Sequence, residues 1–251
     1  MTSPSQKLYG LIGRTLRHSF SQDFFTRKFN VEGIDAKYLN FELEDIDEFM
    51  EVIAQYPTLR GLNVTIPYKQ DVMDYMDELD PTAQRIGAVN VVKFTGSGSL
   101  LRLKGFNSDI IGFKDSIAPL ISKSMTRALV LGTGGASKAV VCGLEDLGLE
   151  CQLVSRTARE GIISYSDITR EIMESHHVIV NTTPLGMWPN TDVSPDIPYD
   201  FITPAHLCYD LIYNPEQTLF MKKSAERGAL TKNGLEMLHL QAIASWNIWN
   251  E

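Results

Sequence analysis

The chain has 251 residues and a formal net charge of −8, and 43% of its residues are hydrophobic. This composition is typical of a globular protein with one large domain or two smaller ones. An acidic surface argues against non-specific binding to nucleic acid or to anionic membranes. Residues 1–6 are polar and no apolar run is long enough to cross a bilayer, so the sequence predicts a cytoplasmic protein.

Short apolar runs alternate with helical periodicities through the first hundred residues. Residues 8–12, 38–41 and 61–66 have the pattern of strands. Apolar residues at helical spacing follow the first two strands, at Phe24, Phe25 and Phe29 and again at Ile46, Phe49, Met50 and Ile53. Two further strands, 89–94 and 100–106, flank a glycine-containing turn and predict an antiparallel hairpin at the edge of the first sheet.

A second alternation begins near residue 127. Strands are predicted at 128–131, 151–154, 178–180 and 207–211, with helices to residue 147 and at 235–249. The sequence therefore predicts an α/β fold class with two domains, each with a mostly parallel sheet, that meet at a cleft. The boundary between them is expected near residue 104.

A glycine-rich loop joins the strand at 128–131 to the helix that follows. The loop contains Gly132, Thr133, Gly134, Gly135 and Ala136. Glycines allow a tight turn and a close approach of the backbone to a pyrophosphate, and the helix N-terminus supplies free N–H groups. This context favours a dinucleotide site, although an ordinary strand-to-helix turn has the same elements.

The end of the next strand distinguishes the two nicotinamide cofactors. NAD-binding folds usually carry a carboxylate there, whereas NADP-binding folds carry an arginine for the 2′-phosphate. Here the strand is followed by Ser155, Arg156, Thr157 and Arg159, and the first carboxylate is Glu160. These residues predict NADP as the cofactor, the alternative being solvated loop charges.

Several polar residues lie where a core strand normally carries apolar ones. Asn63 and Thr65 lie in the strand at 61–66, Asn90 begins the hairpin, and residues 107–109 follow it. Buried amides and hydroxyls need hydrogen-bond partners, which a small polyhydroxylated substrate can supply. Hydrogen bonds within the core would satisfy the same groups equally well.

Taken together and in order, these segments resemble the shikimate dehydrogenase family. The resemblance extends from residue 8 to residue 249 and is carried by residues 63–69 (NVTIPYK), 87–90 (GAVN), 107–109 (NSD), 132–137 (GTGGAS), 155–157 (SRT), 181–187 (NTTPLGM), 210–215 (DLIYNP) and 234–241 (GLEMLHLQ). Each motif alone is weak, but the ordered set is specific. Departures from the family pattern are Thr15, Gln22, Phe106, Ser155 and a shorter chain after Gln241.

The resemblance implies NADPH-dependent, reversible reduction of 3-dehydroshikimate to shikimate, a step of aromatic amino-acid biosynthesis. It implies a substrate-binding catalytic domain at 1–104, a Rossmann-like NADP-binding domain at 105–231, and a helix at 232–251 that returns to the first domain. Lys69 and Asp109 are the implied catalytic pair. The implied substrate-binding residues are Ser19, Ser21, Asn63, Thr65, Asn90, Tyr213 and Gln241. The implied cofactor-binding residues are Gly132, Thr133, Gly134, Gly135, Ala136, Ser155, Arg156, Thr157, Arg159, Thr182, Met187 and Gly234.

Other interpretations of the sequence stay open. An NAD-dependent quinate/shikimate dehydrogenase would share most motifs, but the missing acidic residue argues against it. A non-catalytic relative of the same fold is disfavoured because Lys69 and Asp109 are both present. No metal site is expected, since the three cysteines are scattered and His176 and His177 point to opposite faces of a strand. Monomer and homodimer are both compatible with the sequence.

Overall fold

The computed structural model describes residues 6–16 and 19–251, which fold into two compact units. The first unit comprises residues up to 108 together with residues 242–251, and the second comprises residues 109–241. The final helix begins in the second unit and ends in the first. None of the helices in the described part of the chain is long and apolar enough to cross a lipid bilayer.

The first unit is built on a six-stranded sheet. Its strands are β1 (Lys7–Gly13), β2 (Ala36–Glu42), β3 (Leu59–Val64), β4 (Glu78–Leu79), β5 (Val91–Thr95) and β6 (Arg102–Phe106). Three helices connect them, α1 (Phe20–Glu32), α2 (Phe49–Gln55) and α3 (Pro81–Ile86). The strand order is β2-β1-β3-β5-β6-β4, with β1 parallel to β2 and β3 and with β5 antiparallel to β3 and β6.

The predicted hairpin is confirmed as β5 and β6, but its predicted place at the sheet edge is wrong. The two-residue strand β4 lies outside it and pairs with β6 in parallel. The sequence gives no sign of β4, because two residues are too few to show a period. Asp80 then caps α3, accepting a hydrogen bond from the backbone N–H of Thr82 at 2.9 Å, with Pro81 at the first helical position.

The second unit is built on an all-parallel sheet of six strands. Its strands are β7 (Arg127–Leu131), β8 (Glu150–Ser155), β9 (Ile162–Ser164), β10 (Val178–Asn181), β11 (Leu207–Asp210) and β12 (Leu230–Lys232). Its helices are α4 (Asp109–Ile117), α5 (Gly135–Asp146), α6 (Arg170–Ser175), α7 (Leu219–Ala225) and α8 (Leu235–Asn250), the last of which continues into the first unit. The order β9-β8-β7-β10-β11-β12 is that of dinucleotide-binding sheets.

Helices cover both faces of this second sheet, and its strands are apolar on both sides. Leu129 and Leu131 of β7 pack into one buried cluster, whereas Ala128 and Val130 pack into another. Because successive side chains of a strand point to opposite faces, a strand buried on both faces has no polar alternation. The predicted fold class, α/β with two largely parallel sheets, is confirmed.

The end of α8 is held on the first sheet by an aromatic side chain. A Cβ placed on Gly61 would lie 2.3 Å from the Trp249 ring, so only glycine gives the ring room. The indole N–H of Trp249 donates to the carbonyl of Val92 at 3.1 Å. The ring also packs against Tyr9 and Phe25. Residues 242–251 therefore belong to the core of the first unit although they are last in the chain.

Candidate active site

In the first unit, hydrogen bonds join the loop that carries Lys69 to the segment that carries Asn90. The backbone N–H of Val89 donates to the carbonyl of Lys69 at 2.7 Å, and the N–H of Val64 donates to the carbonyl of Asn90 at 2.9 Å. Tyr68 anchors the loop to the segment after β2, since its buried hydroxyl donates to the carbonyl of Leu43 at 2.7 Å. The half-buried Lys69 side chain thus projects from a loop with a fixed backbone.

Asn63, the second-last residue of β3, is buried and makes three side-chain hydrogen bonds within the unit. Its Oδ1 accepts from the Tyr38 hydroxyl at 2.8 Å. Its Nδ2 donates to the carbonyl of Asn90 at 3.2 Å and to Oγ of Ser245 at 2.9 Å. The amide therefore satisfies both of its N–H groups inside the protein, and one lone pair of Oδ1 remains for a further donor.

Asn90 is bonded to the segment that precedes Asp109. Its Oδ1 accepts from the backbone N–H of Ser108 at 2.6 Å, and its Nδ2 donates to Oγ of Ser108 at 3.1 Å. Asn107 is buried beside it and donates to the carbonyl of Ala88 at 2.9 Å. The predicted polar segments at 63–65, 87–90 and 107–108 therefore converge, and hydrogen bonds between them hold all three.

The two predicted serines lie at the start of α1, where the local structure explains their placement. Ser19 is the N-cap, and its Oγ accepts from the backbone N–H of Gln22 at 3.2 Å. A proline at position 22 would lack that N–H, so the departure to Gln22 creates this cap. Ser21 is half-buried in the first turn of α1. Thr65, half-buried, follows β3, and its N–H donates to the carbonyl of Ile12 at 2.8 Å.

In the second unit, strand register brings the predicted cofactor segments to one edge of the sheet. Leu131 pairs with both Val154 and Asn181, and Asn181 pairs with Asp210. All four strands are parallel, so the loops that follow them emerge side by side. Ligands of such sheets bind outside the carboxyl ends of the strands, where the strand order reverses. Here the reversal lies between β7 and β10.

The glycine loop has the shape that a pyrophosphate requires. Gly132 has φ of 110°, and a Cβ there would lie 2.6 Å from Oγ1 of Thr182, so a side chain is excluded. Around Gly134 and Gly135, by contrast, a Cβ would meet no heavy atom within 4 Å. The N-terminus of α5 has no side-chain cap. Open space and uncapped N–H groups together fit the phosphates of a dinucleotide. Thr133 is half-buried and Ala136 exposed in the same loop.

Exposed arginines follow β8 in a turn ordered by Ser155. Oγ of Ser155 donates to the carbonyl of Thr157 at 2.6 Å and accepts from its N–H at 3.2 Å. Arg159 exchanges backbone hydrogen bonds with Ile162, which holds the far end of the turn. Over the described ranges 6–16 and 19–251, neither Arg156 nor Arg159 pairs with a carboxylate. Both guanidinium groups therefore fit a 2′-phosphate ligand.

Two of the remaining predicted cofactor residues have a clear structural task. Thr182 donates its hydroxyl to the carbonyl of Leu131 at 2.7 Å and so ties the loop after β10 to β7. Gly234 precedes α8, and a Cβ there would lie 2.0 Å from the carbonyl oxygen of Leu211. Met187 and Tyr213 are each nearly half exposed, in the loops after β10 and β11.

Asp109 and Gln241 lie on two helices of the second unit that touch. Asp109 is the first residue of α4, and Gln241 lies on α8 with its Nε2 donating to the carbonyl of Leu238 at 2.9 Å. A Cβ on Gly112 of α4 would lie 2.5 Å from the carbonyl oxygen of Met237 and 2.9 Å from Cβ of Gln241. Gly112 therefore allows the two helix backbones to approach closely. Lys69, Asn63 and Asn90 belong to the first unit, and Asp109, Tyr213 and Gln241 to the second.

The buried carboxylate of Asp210, the first residue of the motif at 210–215, joins loops at the carboxyl edge of the second sheet. Asp210 accepts hydrogen bonds from Nδ2 of Asn181 at 3.1 Å, the N–H of Ile212 at 3.0 Å and Oγ1 of Thr218 at 2.7 Å. Burial nevertheless dominates and raises the pKa of Asp210 to about 6. Asn181 lies on β10, whereas Ile212 and Thr218 lie in the segment that follows Asp210.

This pKa predicts a pH-dependent stability. Since folding raises the pKa from 3.8 to about 6, Asp210 stabilises the fold most below the lower value, and this contribution is lost as the pH rises through the higher one. The shift corresponds to roughly 3 kcal/mol. We expect the free energy of unfolding of the wild type to fall relative to that of Asp210→Asn between about pH 4 and about pH 7. Parallel urea titrations of both proteins measure this difference, and identical pH profiles would contradict it.

Comparison with known proteins gives matches over nearly the whole chain. Residues 11–92 match the shikimate dehydrogenase substrate binding domain. A shikimate dehydrogenase (NADP(+)) of Caldicellulosiruptor saccharolyticus is 36% identical over 265 residues, which cover 97% of this chain and 92% of the relative. The crystal structure of shikimate dehydrogenase from Aquifex aeolicus is 34% identical and has a TM-score of 0.85. The match covers 100% of this chain and 94% of the Aquifex aeolicus chain. The Thermus thermophilus shikimate 5-dehydrogenase, in complex with NADP(H) and shikimate, is 28% identical and has a TM-score of 0.84. The match covers 97% of this chain and 93% of the Thermus thermophilus chain.

Proposed function

The chain belongs to the shikimate dehydrogenase family, and we propose that it catalyses the reversible, NADPH-dependent reduction of 3-dehydroshikimate to shikimate. This reaction is a step of the shikimate pathway of aromatic amino-acid biosynthesis. The observation that carries the proposal is the full-length match to NADP-dependent relatives, together with a Lys69 and an Asp109 that stand in the family's catalytic motifs.

Lys69 is the proposed proton donor and acceptor. Reduction of a ketone requires a hydride on carbon, which bound NADPH supplies, and a proton on oxygen. An ammonium group at the carbonyl donates that proton in the forward direction, and the resulting amine accepts it in reverse. The fixed backbone of the Lys69 loop limits the positions that the side chain can take. A proton donor that is already positioned loses less conformational entropy on reaching the reactive geometry.

Asp109 is the proposed second member of the catalytic pair. Its carboxylate is assigned two tasks, to hold the lysine in position and to accept a hydrogen bond from a substrate hydroxyl. Asp109 is the first residue of α4, so the helix holds its backbone in place.

The polar groups of the first unit suit a small ring with several hydroxyls. We assign Ser19, Ser21, Asn63, Thr65 and Asn90 to substrate binding, together with Tyr213 and Gln241 of the second unit. Asn63 keeps one acceptor lone pair after its internal bonds, so it suits a hydroxyl that donates. Mixed donors and acceptors of this kind reject substrates that lack the matching hydroxyls.

The loops at the carboxyl edge of the second sheet are the proposed cofactor site. We assign the pyrophosphate to the loop of Gly132, Thr133, Gly134, Gly135 and Ala136. The 2′-phosphate is assigned to Arg156 and Arg159, in the turn of Ser155 and Thr157. Thr182, Met187 and Gly234 complete the site. The open space at Gly134 and Gly135 supports the first assignment, and the absence of carboxylate partners for both arginines among the described residues supports the second.

An assay of shikimate-dependent NADP reduction, run in parallel with NAD and with quinate, tests the function. We expect turnover with shikimate and a kcat/KM for NADP that exceeds that for NAD by more than tenfold, the factor that about 1.4 kcal/mol gives. A preference for quinate with NAD would instead assign the chain to quinate/shikimate dehydrogenases. Absence of turnover with either substrate, in a folded protein that binds NADP, would support a non-catalytic relative.

A further inference from the structure

Two residues outside the family motifs hold the Asn63 amide from opposite sides. Tyr38 of β2 donates its hydroxyl proton to Oδ1 of Asn63, and Ser245 of α8 accepts from Nδ2. Tyr38 is separated from Asn63 by 25 residues in sequence and Ser245 by 182. Both contacts arise only from the fold of the first unit, to which all three residues belong.

Burial makes these two contacts decisive for the orientation of the amide. The exposed fractions are 4% for Tyr38, 5% for Asn63 and 0% for Ser245, so water has little access to replace a lost partner. The two ends of an amide have nearly the same shape, and hydrogen bonds alone decide which end is the acceptor. The carbonyl of Asn90 can only accept, so it keeps Nδ2 on its own side. The hydroxyls of Tyr38 and Ser245 then hold the amide plane, and with it the direction in which Oδ1 points.

Ser245 also connects this amide to the segment before Asp109. Its Oγ lies 3.1 Å from Oγ of Ser108, and Ser108 is bonded in turn to the side chain of Asn90. A continuous buried network thus runs through Tyr38, Asn63, Ser245, Ser108 and Asn90. Two of these five, Asn63 and Asn90, are residues to which we assign substrate binding.

We propose that Tyr38 and Ser245 are positioning residues, which orient the Asn63 amide so that its free lone pair accepts a hydroxyl of the substrate. This inference rests on the proposed function and names two residues that act through Asn63 rather than on the substrate itself. Loss of either hydroxyl removes one of the three hydrogen bonds that hold a buried amide, so the amide is free to tilt about its Cβ–Cγ bond. A tilted amide no longer directs the free lone pair of Oδ1 at the substrate hydroxyl.

The experiment compares Ser245→Ala and Tyr38→Phe with the wild type in steady-state kinetics. We expect each to raise the KM for shikimate about tenfold, with smaller changes in kcat and in the KM for NADP. Tyr38→Phe retains the ring that stacks on Phe25 at 4.8 Å, so its packing is preserved. Ser245→Thr keeps a hydroxyl and is expected to retain a KM for shikimate near that of the wild type.

The second unit offers a matched control with the same chemistry. Ser116 and Tyr209 are buried, and their hydroxyl oxygens lie 2.8 Å apart. The side-chain hydrogen bonds of these two residues are to each other and to the carbonyl of Phe113, and neither involves a proposed substrate-binding group. Ser116→Ala and Tyr209→Phe are expected to lower thermal stability while leaving the KM for shikimate unchanged.

A double-mutant cycle with Asn63→Ala separates positioning from a general loss of structure. If Ser245 acts through Asn63, then Ser245→Ala has little further effect on the KM for shikimate once the amide is gone. Equal effects in both backgrounds would overturn the proposal, as would an unchanged KM in active Ser245→Ala and Tyr38→Phe. Should Ser245→Ala fail to fold, Tyr38→Phe tests the same amide. A wild type without activity on shikimate would reject the proposed function, and this inference with it.

Discussion

Replacement of Lys69 by alanine is expected to lower kcat by about 10²–10⁴-fold, the usual contribution of general acid–base catalysis. The KM for shikimate should change much less, because at least five other side chains of the first unit are assigned to the substrate. Steady-state kinetics in the direction of shikimate oxidation, at saturating NADP, measures both constants. A kcat close to that of the wild type at saturating substrate would exclude Lys69 as the proton-transfer group.

Two further variants separate proton transfer from charge. Lys69→Arg retains a cation but cannot give up its proton near neutral pH, so we expect it to bind shikimate and to remain as slow as the alanine variant. Lys93→Ala removes a lysine that is also half-buried in the first unit, on β5, and should leave kcat unchanged. If Lys69→Arg recovers most of the activity, the side chain acts as a binding cation instead.

The role assigned to Asp109 predicts a second kinetic effect that tests the proposed catalytic pair. Asp109→Ala should affect both kcat and KM, since the carboxylate is assigned both to the lysine and to a substrate hydroxyl. Because the two residues act as a unit, their losses should not add in the double variant. Full additivity would indicate that the two residues contribute independently.

Replacement of Arg156 by alanine is expected to weaken NADP binding more than tenfold while NAD binding changes little. The reason is a charge-assisted bond to the 2′-phosphate, which contributes about 1.5–3 kcal/mol and which NAD cannot make. Arg156 carries no competing ion pair with a carboxylate in the described part of the chain, so its charge is available to the ligand. Fluorescence or calorimetric titration with each cofactor measures the two dissociation constants.

Arg127→Ala is the control for the loss of a positive charge from the same unit. Arg127 begins β7 at the amino end of the sheet, opposite the cofactor edge, and pairs with Glu150 at 3.0 Å. Its removal should affect neither cofactor. Equal losses for NADP and NAD in Arg156→Ala would contradict the assignment of this residue to the 2′-phosphate.

The sequence predicted the long elements of this fold well and the short ones poorly. Strands such as β7 and β10 are continuous apolar runs bounded by turn residues, so their composition alone distinguishes them. By contrast, β4, β9 and β12 have two or three residues each. Their formation depends on a neighbouring strand with free backbone groups, and such a neighbour is a tertiary property that no local pattern records.

The same distinction applies to the candidate site. Motif residues such as Gly132 stand out because only glycine tolerates their backbone conformation and close contacts. Ser245 carries no such mark, because it acts through partners that are distant in sequence. A strand tyrosine such as Tyr38 is equally typical of ordinary core packing. Local patterns therefore indicate the residues that we assign to a ligand but miss those that hold them in place.

The aromatic anchoring of α8 has a spectroscopic consequence. Of the three tryptophans in the chain, Trp246 and Trp249 lie among the aromatic rings of the first unit, whereas Trp188 of the second unit is 66% exposed. An exposed indole already emits as it does in water, so unfolding of its surroundings changes its emission little. The change in tryptophan fluorescence on denaturation therefore reports mainly the unfolding of the first unit. That unit includes the C-terminal residues 242–251.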